Sequence, residues 1–373
     1  MFSPFRQNRI AAAQVLVAGC GALGNEVLKN LALLGAEHLT LVDFDRVEEA
    51  NLSRSVLFSK ADVGLWKVDV AARRLREMNP ALEVRTIRVD IAFDVGLGLV
   101  RQMDVVIGCV DNRWARYCIN RLCMQAGVPW VDGGIDALEG TVRVFVPGEN
   151  CYACNLGPEG RKDLARRMPC SGIIRRNEQA GKAPTTPVIA SVIGAVQVQE
   201  ALKLLHPEEL KEGKFTSLCG KMFYYEGGHL STRLVGFKAW DPDCPEHERR
   251  EPSQKTAVKV ETPVSEALFL LRKELQAQTV TLHLTGDCFV DYVLMRDNDA
   301  RSTVMRPGRA VAAFVEEDPQ LRGIPYSGLY QHEYREVDDA FPYPSLTLGQ
   351  LGIPAQEVLS VSTETGDYYL EMA

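Results

Sequence analysis

The chain has 373 residues, 46% hydrophobic and 24% charged, and its 42 Lys+Arg against 49 Asp+Glu give a formal net charge of -7. At roughly 150 residues per domain this length suggests two to three domains, and the balance excludes a disordered or fibrous chain and an overall cationic surface for nucleic acid. Ten cysteines are too sparse for a disulfide scaffold, Met1 to Arg9 carry two arginines without the apolar stretch of a secretion signal, and no run of about 18 apolar residues is read, so the expectation is a cytoplasmic protein with no membrane and no nucleic-acid partner.

Gln14 to Ala18 reads as a short buried strand, which Gly19-Cys20-Gly21-Ala22-Leu23-Gly24 turns into an apolar helix over Asn25 to Leu34, stopped by Gly35. Leu39 to Val42 is a second strand ending in Asp43-Phe44-Asp45, and Ala61 to Met78 has helical spacing closed by Asn79-Pro80. Val84 to Val89 and Val105 to Cys109 read as further strands, Trp114 to Ala126 as a helix, Val128 to Asp132 as a strand and Gly140 to Val146 as an antiparallel addition. The repeated strand-helix-strand pattern predicts an α/β, Rossmann-like, mostly parallel sheet with helices on both faces and its ligand at the carboxyl ends of the strands. An aperiodic crossover loop follows at about 155–187; Thr186 and Pro187 then open a helix over Val188 to Leu205, and Phe223 to Tyr225 is strand-like. Glu248 to Lys255 reads as a linker. Beyond it a smaller α+β unit has a helix at Val264 to Ala277, a strand at Thr279 to Leu284, loops through Asp297 to Gly308 and a last strand at Tyr368 to Met372. The predicted division is 1–247, a linker at 248–256, and 257–373.

Gly19-x-Gly21-x-x-Gly24 between a strand and a helix lets backbone amides approach a phosphate at the positive helix end, and Asp43 follows where a carboxylate accepts ribose hydroxyls. That much fits a nicotinamide dehydrogenase equally well. The stretch Asp43 to Arg54 carries more polar groups than a dinucleotide needs: Arg54 offers a planar fork for phosphate oxygens, Asn51 a neutral donor and acceptor, and Lys67 a point charge, while Asp111, in Cys109-Val110-Asp111-Asn112, can hold magnesium through oxygen. Together these describe a nucleoside-triphosphate site, and the resemblance below implies ATP. Cys151-x-x-Cys154 and Cys244-x-x-His247 suit a closed tetrahedral zinc clamp. Cys170 lies among Arg166, Arg167, Arg175 and Arg176, neighbours that favour the thiolate.

Over about residues 1 to 235 the chain resembles the ubiquitin-activating enzyme superfamily, including its bacterial MoeB, ThiF and HesA types. The resemblance is carried by the glycine turn, the acidic pair Asp43 and Asp45, the Asn51-Leu52-Ser53-Arg54 segment, Lys67, and Asp111-Asn112, in that order. It implies that Asp43 binds ribose, that Asn51, Arg54 and Lys67 bind phosphates and that Asp111 binds magnesium, in an enzyme that adenylates the carboxyl end of a ubiquitin-like or sulfur-carrier protein ending in glycine. Ala50 and Ser55 replace the Ser or Thr and the Gln that usually flank the Asn-Leu-x-Arg segment, and relatives usually have cysteine where His247 stands. The resemblance further implies a homodimer with an arginine supplied from an N-terminal segment, for which Arg6 is the candidate and Arg9 the second. It also implies a thioester on Cys170. Leu346 to Pro354 with Glu357 to Val361 resembles the end of the ubiquitin-fold (β-grasp) domain that recruits a conjugating enzyme. The runner-up is a sulfur-carrier adenylyltransferase without the thioester step.

Overall fold

A computed structural model describes residues 5–157, 159–160, 164, 185–238 and 240–372. Contacts divide them into two units: the first carries residues 5–92, 100–156 and 185–249, the second residues 93–99, 157, 159–160, 164 and 250–372.

The first unit opens with a short helix, α1 (Gln7–Ala12), then β1 (Gln14–Ala18), α2 (Ala22–Leu33), β2 (His38–Val42), α3 (Lys67–Met78), β3 (Glu83–Ile87) and α4 (Leu97–Arg101), the last of which begins in the second unit. Next come β4 (Val105–Gly108), α5 (Arg113–Ala126), β5 (Trp130–Asp136), β6 (Glu139–Phe145), α6 (Pro187–Leu204), α7 (Pro207–Lys211), β7 (Lys221–Glu226) and β8 (Ser231–Gly236). The eight strands form one sheet in the order β3-β2-β1-β4-β5-β6-β7-β8. The first five are parallel and the last three antiparallel. Strand order reverses between β1 and β4, and such a switch point is where open α/β sheets leave a crevice for ligand.

The central strands β1, β2 and β4 are almost wholly buried because helices cover them: Val15, Val17, Leu39, Leu41, Val105 and Ile107 pack in one core with Val27, Leu28 and Leu31 of α2 and Ile189 and Ile193 of α6. α6 is long and apolar enough by composition to cross a membrane; here Ile189, Ala190, Ile193, Val198, Ala201 and Leu202 are buried in the protein core. The helix expected from Ala61 starts only at Lys67. Ser59 and Asp62 cap a separate 3-10 turn over Lys60–Asp62, and Gly64, at φ +91°, turns the chain between the two.

The second unit contains β9 (Gln254–Thr256), α8 (Val264–Leu275), β10 (Val280–His283), β11 (Phe289–Met295), β12 (Arg301–Pro307), α9 (Val311–Glu317), β13 (Leu329–Tyr334), β14 (Glu336–Val337), β15 (Val358–Thr363) and β16 (Gly366–Met372). Five strands form a sheet in the order β14-β10-β15-β16-β9, and three form a second, β12-β11-β13. Three readings from sequence are corrected here. Gln254 and Lys255 are not linker but pair in parallel with β16. The segment read as loops through Asp297 to Gly308 contains β12, whose pairing with β11 is disturbed by a bulge between Val290 and Tyr292. Residues 93–99, assigned from sequence to the first domain, belong with the second unit, because Gly98 N–H donates to Gln356 O at 2.8 Å and Leu97 N–H to Glu357 Oε1 at 3.4 Å.

Candidate nucleotide site and metal cluster

Parallel register sets Ala18, Val42 and Gly108 side by side. Gly19 N–H donates to Val42 O at 2.8 Å and Cys109 N–H to Ala18 O at 2.7 Å, so the glycine turn and the segments led by Asp43 and Cys109 leave the sheet at one edge. Gly19 has φ +94°, and a Cβ there would lie 2.5 Å from Cys109 O; a Cβ on Gly24 would lie 2.0 Å from Gly19 O. Those two glycines permit close packing. Gly21 is different. It precedes α2 with φ -74°, and a Cβ there would meet nothing within 4 Å, which leaves open space at a helix N-terminus, where amide donors and the helix dipole favour an anion.

Asp43 closes this turn. Its Oδ2 accepts from Cys20 N–H at 2.6 Å and its Oδ1 from Asp45 N–H at 2.7 Å. Burial holds its carboxyl above the ordinary aspartate range against the opposing charge of Lys67. Lys67, buried at the start of α3, reaches Asp45 Oδ2 at 2.6 Å. Burial works against its ammonium, but Asp43 and Asp45 outweigh that and hold its pKa above the usual lysine value. The site is therefore an amide cradle with a desolvated cation beside it.

Asn25, fully buried, ties this turn to the next loop: its Nδ2 donates to Cys20 O at 2.8 Å and Gly21 O at 2.9 Å, and its Oδ1 accepts from Leu57 N–H at 2.8 Å. On that loop Asn51 Oδ1 accepts from Glu48 N–H at 2.9 Å, and Arg54 Nη1 donates to Ala50 O at 2.8 Å. Asp111 lies exposed just past β4, its Oδ1 accepting from Asn112 Nδ2 at 3.2 Å, while Asn112 Oδ1 caps α5 by accepting from Ala115 N–H at 2.9 Å. Its exposed oxygens suit a hard divalent cation such as magnesium.

Sequence reasoning missed the polar groups behind these residues. Arg116 of α5, Asp132 of β5, Arg143 of β6 and Gln197 of α6 gather beside the end of β4, where Gln197 Nε2 donates to Gly108 O at 2.9 Å. The run Asp132-Gly133-Gly134 was the available signal, since a Cβ on Gly133 would lie 2.4 Å from the Gln197 amide. Arg6 is held elsewhere: its Nε is 2.9 Å from Glu209 Oε1 and its backbone N–H donates to His206 Nε2 at 2.9 Å, by α7 rather than at the glycine turn. Cys170 lies outside the described residues, as does most of the crossover segment around it.

Cys151, Cys154, Cys244 and His247 converge with their ligand atoms all within 4.8 Å of one another. Zn–S bonds of about 2.3 Å would make a tetrahedral S···S edge of about 3.8 Å, and the sulfurs of Cys151 lie 3.6 Å from Cys154 and 3.8 Å from Cys244. His247 Nε2 is 3.1 Å from Cys154 Sγ, and its ring stacks on Trp240. Burial pushes the Cys151 and Cys244 thiols up and the His247 imidazole down; three sulfurs and one imidazole converging in this way are the donor set that a thiophilic cation takes. Asn120 Oδ1 accepts from Tyr152 N–H at 2.9 Å and Asn155 Nδ2 donates to Cys151 O at 2.8 Å, fixing the first knuckle.

Residues 1–250 match the ThiF family. The SAMP-activating enzyme E1 of Haloferax volcanii is 33% identical over 242 residues, 65% of this chain and 83% of that protein. The sulfur carrier protein adenylyltransferase of Thermus thermophilus is 33% identical over 264 residues, 69% of this chain and 90% of that protein. The mouse adenylyltransferase and sulfurtransferase MOCS3 matches over only 48% of its own length. Among solved structures, E. coli MccB with succinimide superposes with a TM-score of 0.51 at 25% identity, over 64% of this chain and 68% of that chain.

Proposed function

The chain belongs to the ThiF family by the match over residues 1–250, and from that membership we propose that it uses ATP to adenylate the C-terminal carboxylate of a ubiquitin-like or sulfur-carrier protein ending in glycine. The observation that carries this reading is the meeting of the open amide turn at Gly21 with Asp43 and the buried Lys67, paired to the exposed Asp45, at the switch point of the sheet. In it, the amides of the Gly19–Gly24 turn cradle the phosphates, with Gly21 at the open approach and Gly19 and Gly24 fixing the turn by close packing, Asp43 takes the ribose hydroxyls, and Asn51, Arg54 and Lys67 hold phosphate oxygens, Lys67 exchanging Asp45 for them. Asp111, with Asn112 beside it, would hold magnesium, which when bound neutralises phosphate charge. A carrier carboxylate oxygen attacks the α-phosphorus, a P–O bond forms, and the bond to the β-phosphate breaks to release pyrophosphate. The carboxylate is already nucleophilic, so positioning and charge neutralisation supply the catalysis.

The finer reading adds a thioester: the Cys170 thiolate attacks the acyl carbon, AMP leaves, and the carrier passes to a conjugating enzyme recruited by the second unit. The second unit supports this step, because the Thermus match leaves only a tenth of that relative unaligned, too little to contain a counterpart of residues 257–373. The alternative, adenylation for sulfur transfer without a thioester, is supported by the name of that same relative. Zinc on Cys151, Cys154, Cys244 and His247 completes the proposal as a structural clamp, and a homodimer would let Arg6 leave Glu209 for the partner's phosphates.

One experiment addresses both readings. The protein is incubated with ATP, magnesium and candidate carriers ending in glycine, and carrier-dependent exchange of pyrophosphate into ATP is followed beside intact-mass analysis. Arg54→Ala and Asp111→Ala are expected to abolish exchange while remaining folded; unchanged exchange sinks the site. Cys170→Ala is expected to keep exchange and lose a reductant-sensitive carrier adduct, and if wild type forms no adduct the sulfur-transfer reading takes its place.

A further inference from the structure

The β4–β5 ladder ends at the pair Gly108 and Asp132. Beyond it β4 has ended while β5 runs on to Asp136 beside β6, and Asp111 lies on the unpaired stretch after β4. Arg116, in the first turns of α5, bridges the gap with one side chain: its Nη2 donates to Val110 O at 2.7 Å and to Gly133 O at 3.0 Å, and its Nε donates to Asp132 Oδ1 at 2.9 Å. The guanidinium thus replaces the missing ladder and fixes the peptide immediately before Asp111. Only a planar fork reaches three acceptors in this way; a lysine ammonium on its stem satisfies Asp132 or a carbonyl but cannot span from the stretch after β4 to β5.

A cation this close to Asp111 would also compete for its charge. The arrangement answers that. Asp132 is fully buried, takes Arg116 on Oδ1 and receives Arg143 Nε on Oδ2 at 2.9 Å, so Asp132 rather than Asp111 is the main counter-charge of Arg116 and Asp111 acts on it more weakly. Arg143 in turn lies over the Tyr152 ring, 4.9 Å from its centroid, and touches neither carbonyl. Burial opposes the charge of Arg116, and Asp132 more than restores it.

The geometry points to Arg116 as a positioning residue for Asp111, setting the divalent-cation affinity of the nucleotide complex by bracing the end of β4 against β5. This rests on the reading that Asp111 holds the metal. The test uses manganese as the probe, titrated by electron paramagnetic resonance into the full-length protein with a non-hydrolysable ATP analogue. Arg116→Lys is expected to raise the manganese Kd by roughly tenfold, as loss of support behind a metal ligand does, with nucleotide affinity in the absence of metal unchanged. Arg143→Gln, which also strips a partner from Asp132 but leaves both carbonyls bonded, is expected to lower the melting temperature and leave the manganese Kd within about twofold. Equal shifts in the two variants, or no shift in Arg116→Lys, overturn the proposal and leave Arg116 a structural salt-bridge residue. Asp111→Asn separates the two levels: if it leaves manganese binding intact the metal is not on Asp111, and the reading beneath the proposal fails with it. A folded Asp111→Asn that loses manganese, alongside a silent Arg116→Lys, rejects the positioning role alone.

Discussion

Gly21 and Gly24 stand three residues apart in one turn and answer to opposite constraints. A methyl on Gly24 collides with a backbone oxygen at 2.0 Å, whereas one on Gly21 meets open space. Gly24→Ala is therefore expected to destabilise the protein by more than about 2 kcal/mol, a backbone-strain effect. Gly21→Ala is expected to stay within about 1 kcal/mol of wild type by thermal unfolding and yet to weaken ATP binding about tenfold, or about 1.4 kcal/mol, by crowding the approach to the amides. ATP affinity unaltered in Gly21→Ala would show that the ligand lies elsewhere. This turn and its acidic partner were legible because strand, glycines and helix are contiguous and Asp43 ends the next strand. Asn25, Arg116 and Asp132 were not, since each acts on backbone that only the tertiary register brings near. Arg6 illustrates the same limit: nothing local announces that Glu209, 2.9 Å from its Nε, is its partner.

Long helices were legible: α2, α5 and α6 fall within a few residues of their predicted bounds, α5 through an apolar stripe buried on one side and α6 through a long apolar run opened by Thr186 and Pro187. The small strands of the second unit were not. β12 carries arginines on its exposed positions, the preceding Asp297-Asn298-Asp299 looks like loop, and the bulge at Val290/Tyr292 breaks the alternation that would have revealed β11. Between these elements a single carboxylate secures the start of β10. Glu364 accepts from the backbone N–H groups of Gln278 at 2.8 Å and Thr279 at 3.0 Å, which lowers its pKa from the ordinary 4.5 to about 2. A depressed carboxyl stabilises the fold above its unfolded value and loses that contribution as pH falls, so the affected window runs from about 4.5 down to about 2. Wild type is expected to lose unfolding midpoint across that window, and Glu364→Gln to start lower at neutral pH and flatten there; parallel curves for the two proteins would reject the assignment.

At the scale of the molecule the chain does not divide where its composition suggests. The charged stretch after Glu248 reads as a boundary, but residues 93–99 fold with the second unit although both flanks of the segment continue into the first. Gly96 and Gly98 lie so close to Ala355 and Gln356 that a Cβ on either would come within 2.3 and 2.6 Å of a backbone oxygen, and Val95 and Leu97 are buried. Ending the chain at residue 249 is thus expected to uncover that apolar strip and yield aggregates on size-exclusion chromatography, while the same truncation with 93–99 replaced by glycine and serine restores a soluble species. Equal solubility of the two would show that the strip needs no cover.

Leu97 finds its hydrogen-bond acceptor 260 positions downstream. A protease nick at the linker would accordingly leave two polypeptides still buttoned together, and any genetic exchange that swapped the second unit for another would have to carry a matching strip into the middle of the first.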